Sequence, residues 1–278
     1  MTQPPYDLVM DSYIYNMIRK YSPYFVDYAS NDFSNDRDFE ADLDVMYLRK
    51  LYQAKVKLLA LDPAMNNTGI MRGVLSQGKL WELEGQCLNR KSIEQKMTPE
   101  KLALKSSWKA AYDLEYFSLL HRCLHEHLES CHIWLAELPL GSQSAMAMKG
   151  CGAVLALLAS LTNQTKTTDR PFIPIKVHQV RSLGKTKNDI IQWARETYPH
   201  AYLDEAKCYA EHEADALTVM HLGLNQEGLL KDLRDTQLLL GRNLQKANLG
   251  IRISLSPEET VAIREYEQWL HRLKTHVI

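Results

Sequence analysis

The sequence predicts an α/β protein: a five-stranded central sheet covered by helices on both faces, with an extension at each end of the chain. Three observations carry this expectation. Short, nearly continuous apolar runs at 56–61, 133–136 and 172–177 read as strands buried on both faces. Three strand-like segments come first, and then helices and strands alternate, the order that places helices over a shared sheet. The chain of 278 residues is 45% hydrophobic and 24% charged, ample for a sizeable core.

The elements follow in order. Residues 1–54 form an acidic N-terminal extension rich in Tyr, Asn and Asp, within which Leu8 to Tyr21 has the spacing of one amphipathic helix. The domain proper spans 55–224. Val56 to Leu61 is its first strand, and Asp62-Pro63-Ala64-Met65-Asn66-Asn67 is a turn signal. Thr68 to Leu75 and Lys79 to Leu88 read as two strands joined through Ser-Gln-Gly. Thr98-Pro99-Glu100 caps a long helix expected to run to about Glu129. Ile133 to Ala136 is the fourth strand, and a small-residue helix follows from Ser142 to about Thr162. Phe172 to Val177 is the fifth strand, with helices near Thr186–Tyr198 and Tyr209–Leu224. Residues 225–278 form a helical C-terminal extension, in which Ser256-Pro257-Glu258-Glu259 opens the last helix.

Composition excludes a disordered chain, a collagen-like chain and a small disulfide scaffold. No apolar run reaches the roughly 18–20 residues of a membrane span. The N-terminus lacks the pattern of a secretory signal, so a cytoplasmic location (bacterial, or a host's if phage-encoded) and five reduced cysteines are expected. The net charge of −1 conceals −6 over residues 1–44, +8 over 45–200 and −3 over 201–278. A basic middle suits a polyanionic partner.

The chemistry lies in three acidic positions. Strand alternation sets Leu58, Ala60 and Asp62 on one face, and Ile133, Leu135 and Glu137 on one face of the fourth strand. A carboxylate at that depth is costly unless a cation or donors compensate it. His212 and Asp215, three apart, are neighbours on one side of a helix. Adjacent first and fourth strands would bring these groups to one sheet edge. An oxygen-rich set of this kind suits Mg²⁺ or Mn²⁺.

The segment Leu59-Ala60-Leu61-Asp62-Pro63-Ala64 with Thr68-Gly69 resembles the opening of the RuvC-type Holliday junction resolvases, which belong to the ribonuclease H-like nucleases. Ala136-Glu137, followed by the helix with Ser144-Ala145 and Gly150 to Ala159, is similar to the family's second acidic strand and the helix behind it. His178-Gln179-Val180-Arg181 and Gly184-Lys185-Thr186-Lys187 resemble its basic DNA-contact segment. His212-Glu213-Ala214-Asp215-Ala216-Leu217 resembles its closing motif. Four motifs stand in register over about 56–222. The sequence departs from the family in two places: Ala64 replaces the usual Gly, and Leu140 stands near a position where some members carry a base-stacking Phe.

The resemblance implies a ribonuclease H-like mixed five-stranded sheet and a Mg²⁺-dependent endonuclease that resolves four-way DNA junctions by paired cleavage in recombination and repair. It implies two Mg²⁺ per site, with Mn²⁺ able to substitute. Asp62, Glu137 and Asp215 would be the metal-binding acids. His212, the fourth catalytic member, would ligate metal or position the attacking water. Arg181, Lys185 and Lys187 would hold DNA phosphates without reading sequence. A homodimer is expected, because a two-fold substrate needs two sites, and the contact is placed on the helix from Ser142 to Thr162. No membrane and no nucleotide cofactor enter this reading.

Competing patterns are weaker. Gly184-Lys185-Thr186 ends like a phosphate-binding loop, but Gln179 occupies the position where that loop needs Gly. His121 and His125 share a helix face without the paired cysteines of a zinc site. A sugar-kinase or actin-like phosphate loop would need a second Asp-x-Gly loop. A non-catalytic DNA-binding protein would have lost the acids. The chief alternative is another ribonuclease H-like nuclease, acting on flaps, RNA–DNA hybrids or in transposition.

Overall fold

The computed structural model describes residues 45–139, 145–166, 170–180, 182–184, 186–251 and 253–275. The expected helix from Leu8 to Tyr21 lies outside these residues, as do Leu140, Ser142, Ser144, Arg181 and Lys185.

A helix over 45–52 (α1) precedes the sheet. The strands are β1 (Val56–Asp62), β2 (Asn67–Ser76), β3 (Lys79–Asn89), β4 (Ile133–Leu138) and β5 (Phe172–Lys176), in the spatial order β3-β2-β1-β4-β5. The first three pair antiparallel, and β4 and β5 run parallel to β1. This is the mixed five-stranded sheet expected from the sequence. Gln77 and Gly78, at φ 57° and 72°, turn β2 into β3, so Ser76 pairs directly with Lys79. Positive φ at both central residues matches the right-handed twist of the strands. Beyond β3, Gly85 N donates to Tyr202 O (2.8 Å) and Tyr202 N to Leu83 O (2.9 Å), which pairs part of that edge.

The helices are α2 (Arg90–Glu94), α3 (Pro99–Ser107), α4 (Lys109–Glu129), α5 (Ala145–Lys166), α6 (Val177–Val180), α7 (Lys187–Thr197), α8 (Lys207–Asn225), α9 (Leu229–Asn248) and α10 (Pro257–Thr275). Alternation along β1 divides the core. Leu59 and Leu61 join Tyr112, Tyr116, Leu120 and Leu124 of α4, and Leu157, Leu158 and Leu161 of α5, in one apolar cluster. Leu58 and Ala60, equally buried, lie outside that cluster on the face that carries α8. Leu135 of β4 shares this second face: a Cβ on Gly223 of α8 would lie 2.1 Å from its Cδ2.

The long helix expected from Pro99 to about Glu129 is instead α3 and α4, broken at Trp108, where the backbone sits at φ −149° and ψ 83°. The Ser106 and Ser107 hydroxyls both bond back to the Ala103 carbonyl (3.1 and 3.0 Å), competing with the helical ladder just before the break. The short α2 was not expected. Its start is capped by Asn89, whose Oδ1 accepts from Ser92 N at 3.0 Å.

The chain divides into two compact units. The smaller holds, among the described residues, 45–53 and Leu239–Ser254, and in it Gly241 lies against the Tyr52 ring. The larger holds the sheet, α2 to α8, residues 229–238 of α9, and α10. Its C-terminal part is tied to the sheet by Gln237, which is fully buried. Gln237 accepts from Gly78 N (2.9 Å) and donates to Ala54 O (3.1 Å) and Tyr266 Oη (2.7 Å). The last helix opens at Ser256 with a capping box, Glu259 N donating to Ser256 Oγ and Ser256 N to Glu259 Oε2. No helix among the described residues is long and apolar enough to cross a membrane.

Candidate metal centre

β1 delivers Asp62 to its carboxyl end, and α8 crosses that face of the sheet with His212 and Asp215 on adjacent turns. His212 Nδ1 lies 2.9 Å from Asp62 Oδ2. Donation from Nδ1 to the carboxylate would leave Nε2 of the ring as the nitrogen turned to other partners. Asp215 completes the group: one ligand atom from each of Asp62, His212 and Asp215 lies within 4.8 Å of the others. Two carboxylates and an imidazole at that spacing fit a divalent cation. No second group of three such residues occurs among the described residues.

The approach of α8 depends on Gly69. A Cβ there would lie 1.9 Å from the His212 carbonyl oxygen, so β2 and α8 meet backbone to backbone at the residue that faces Asp62. Gly85 plays a similar part beside Glu213: a Cβ would come within 2.9 Å of the Glu213 carboxylate. Glu213 is buried, and burial pushes its carboxyl above the usual range, although Asp204 N donates to it at 2.6 Å. Its carboxylate is thus engaged by Asp204, between His212 and Asp215 on the same helix.

Glu137 ends β4. The β1–β4 register pairs Leu61 with Ala136, and one further step sets Asp62 beside Glu137. Alternation from Leu135 puts Glu137 on the α8 face. It is not a member of the three-residue group.

The turn after Asp62 is held from α4, α2 and β2. Tyr116 Oη donates to Met65 O (2.9 Å), Arg90 Nη1 to Asn66 Oδ1 (3.0 Å) and Thr68 Oγ1 to Ala64 O (3.3 Å). Gly150 lets α5 close on Met65. Sequence reading gave no sign of Arg90 or Tyr116, since neither stands in a motif and both act across the fold.

Lys187 opens α7, where Thr186 and Asp189 form a capping box. The Thr186 hydroxyl is thus committed to the helix start. The Lys187 ammonium, 70% exposed, pairs with Glu211, the residue before His212. Glu211 was not singled out from the sequence. His121, considered for zinc, hydrogen-bonds Ser160 (3.2 Å) and stacks on His125.

No family model matches the chain, and neither does any curated protein. Solved structures do. The chain is similar to Thermus thermophilus RuvC in complex with a Holliday junction substrate, with TM-score 0.42 and 16% identity over 62% of this chain and 96% of that one. It is similar to a second Thermus thermophilus RuvC structure, with TM-score 0.39 and 11% identity over 60% and 97%. The yeast mitochondrial Holliday junction resolvase Ydc2 matches with TM-score 0.42 and 14% identity over 73% and 92%. All three are RuvC-type Holliday junction resolvases.

Proposed function

We propose that this protein is a divalent-metal-dependent endonuclease that cuts four-way DNA junctions by paired phosphodiester hydrolysis, acting as a homodimer. The observation that carries the reading is the convergence of Asp62, His212 and Asp215 at the carboxyl end of β1, beside the end of the strand bearing Glu137.

In this reading Asp62, Asp215 and Glu137 hold Mg²⁺, with Mn²⁺ as a substitute and two ions per site. Bound there, the metal supplies Lewis-acid stabilisation of the phosphoryl oxygens and a more acidic water. The chain's own groups do the rest. The Asp62 carboxylate orients the His212 ring through Nδ1, so Nε2 can take a proton from the attacking water or hold that water in line. Gly69 fixes α8 close enough for this pairing. Lys187, with Arg181 and Lys185, serves phosphate backbone, and its neighbour Glu211 keeps the ammonium beside the site.

The dimer reading has its own support. The outward face of α5 carries Met148 and Leu155, 51% and 43% exposed, together with the exposed Gly152, Ala156 and Ala159. The inward face uses Gly150, Val154, Leu157, Leu158 and Leu161. One helix thus packs on its own sheet and still presents an apolar stripe.

The test is nicking of a synthetic four-way junction beside duplex, flap and RNA–DNA hybrid, with Mg²⁺ and after chelation. Asp62→Asn keeps the side chain's shape and removes its charge. Cleavage should fall by at least ~100-fold while junction binding survives, in line with losing a key group in a site that works by charge stabilisation. Near wild-type cleavage by that variant would refute the assignment, and a preference for flaps or hybrids would make this another nuclease of the same fold class.

A further inference from the structure

We propose that the corner between α3 and α4 is a second nucleic-acid contact, a cationic ridge on which Trp108 stacks an unpaired base of the bound strand. The proposal takes its substrate class from the nuclease reading and adds where a base outside the cleavage site goes.

Trp108 is 66% exposed at the break between the two helices. It has no side-chain capping role there. A tryptophan left in water contributes little to folding, whereas a flat exposed indole suits a base face. The surroundings select the partner. Residues 90–115 carry six basic and four acidic side chains. Two of the acids are sunk beneath bases: Glu94 is 19% exposed beneath Lys105 at 53%, and Asp113 is 14% exposed beneath Lys149 at 64%. Each of these two carboxylates serves two cations, Glu94 taking Arg90 (3.1 Å) and Lys105 (2.9 Å), and Asp113 taking Lys149 (3.2 Å) and Lys109. The tyrosine below is enclosed by the same cations, with Lys109 Nζ 4.4 Å from the Tyr112 ring centroid.

Glu94 and Asp113 therefore order four cations with two negative charges, and the exposed indole of Trp108 stands in the chain between Lys105 and Lys109. A polyanion with exposed π-faces matches that combination, and a nucleic-acid strand with unpaired bases is one. The ridge is also connected to the metal centre. Arg90, bonded to Glu94, reaches Asn66 in the turn that leaves Asp62.

The experiment uses the full chain in an Asp62→Asn background, with an oligo(dT) 20-mer, a four-way junction and a blunt duplex as probes. Trp108→Ala should weaken binding to the 20-mer and the junction by roughly tenfold and leave the duplex within about twofold, while Trp108→Phe keeps binding within about threefold of the parent. An equal loss on the duplex, or no loss on any probe, would overturn the proposal. So would a change in the sedimentation of the free protein, which would make Trp108 a contact between protein chains. Failure of the nuclease reading is distinguishable: wild type that nicks nothing, with Trp108-dependent binding of the 20-mer intact, leaves the ridge standing.

Discussion

Gly69 shows how little chemistry a site residue needs in order to matter. It offers no donor beyond its backbone, yet a methyl group in its place would meet the carbonyl of His212, which cannot swing aside as a side-chain tip can. Gly69→Ala must push α8 off β2, and the shift falls directly on the 2.9 Å bond between His212 and Asp62. The expected cost is roughly 1–3 kcal/mol of stability, as for other overpacked sites. Nicking activity should fall more steeply than that loss explains, because a shift of about 1 Å at a reacting group can cost ~100-fold. Urea unfolding and nicking rates on the same protein separate the two effects. A variant with unchanged nicking would show that α8 has slack at this crossing.

At the scale of elements, Glu94 joins three helices that follow β3. Arg90 lies in α2 with it, Lys105 reaches it from α3, and the Tyr112 hydroxyl of α4 donates to it. The Tyr112 hydrogen bond, followed by that of Lys105, holds the Glu94 carboxyl down at about 2 against an ordinary value of 4.5. A carboxyl depressed in the folded state contributes its stability above the unfolded value, and loses it as pH falls from about 4.5 toward 2. Glu94→Gln should therefore be less stable than wild type near pH 7, by about 1–3 kcal/mol for a hydrogen-bonded charge. The difference should shrink as the pH drops below 4.5, and chemical unfolding at pH 7 and pH 3.5 reads it. A constant difference would mean that Glu94 acts by shape alone. The sequence made part of this scale legible and hid the rest. Asp62 and Glu137 could be placed because alternation in buried strands is a local rule, and His212 and Asp215 because three residues are a local distance on a helix. The break at Trp108 could not, because no Gly or Pro marks it and the Ser106 and Ser107 hydroxyls that turn back on Ala103 beside it occur inside unbroken helices too. The hold of Arg90 and Tyr116 on the turn after Asp62 spans 24 and 51 residues of chain and leaves no periodic trace.

At the scale of the whole molecule, the proposed junction cleavage requires the candidate centre of each chain to serve a substrate with two strands to cut. A two-fold dimer places two such centres on two symmetry-related strands. The α5 stripe is where a second copy would close, and Gly152 is the informative position within it. A Cβ built there has nothing within 4 Å, so a larger side chain fits a single chain without strain. Replacing an exposed mid-helix glycine also removes a helix penalty of about 0.5–1 kcal/mol. Gly152→Leu should accordingly fold with equal or greater thermal stability, which rules out damage to the monomer as the cause of any defect. If a partner helix packs on this stripe, the leucine holds the two backbones apart. The variant should then sediment as a monomer at concentrations where wild type is a dimer, and should release singly nicked junctions where wild type makes paired cuts. Adding Leu155→Lys to Gly152→Leu should deepen the effect, because it buries an ammonium in the same contact. A wild-type protein that sediments as a monomer, free and on a junction, yet cuts both strands in one binding event, would refute the dimer and leave the α5 stripe without a partner.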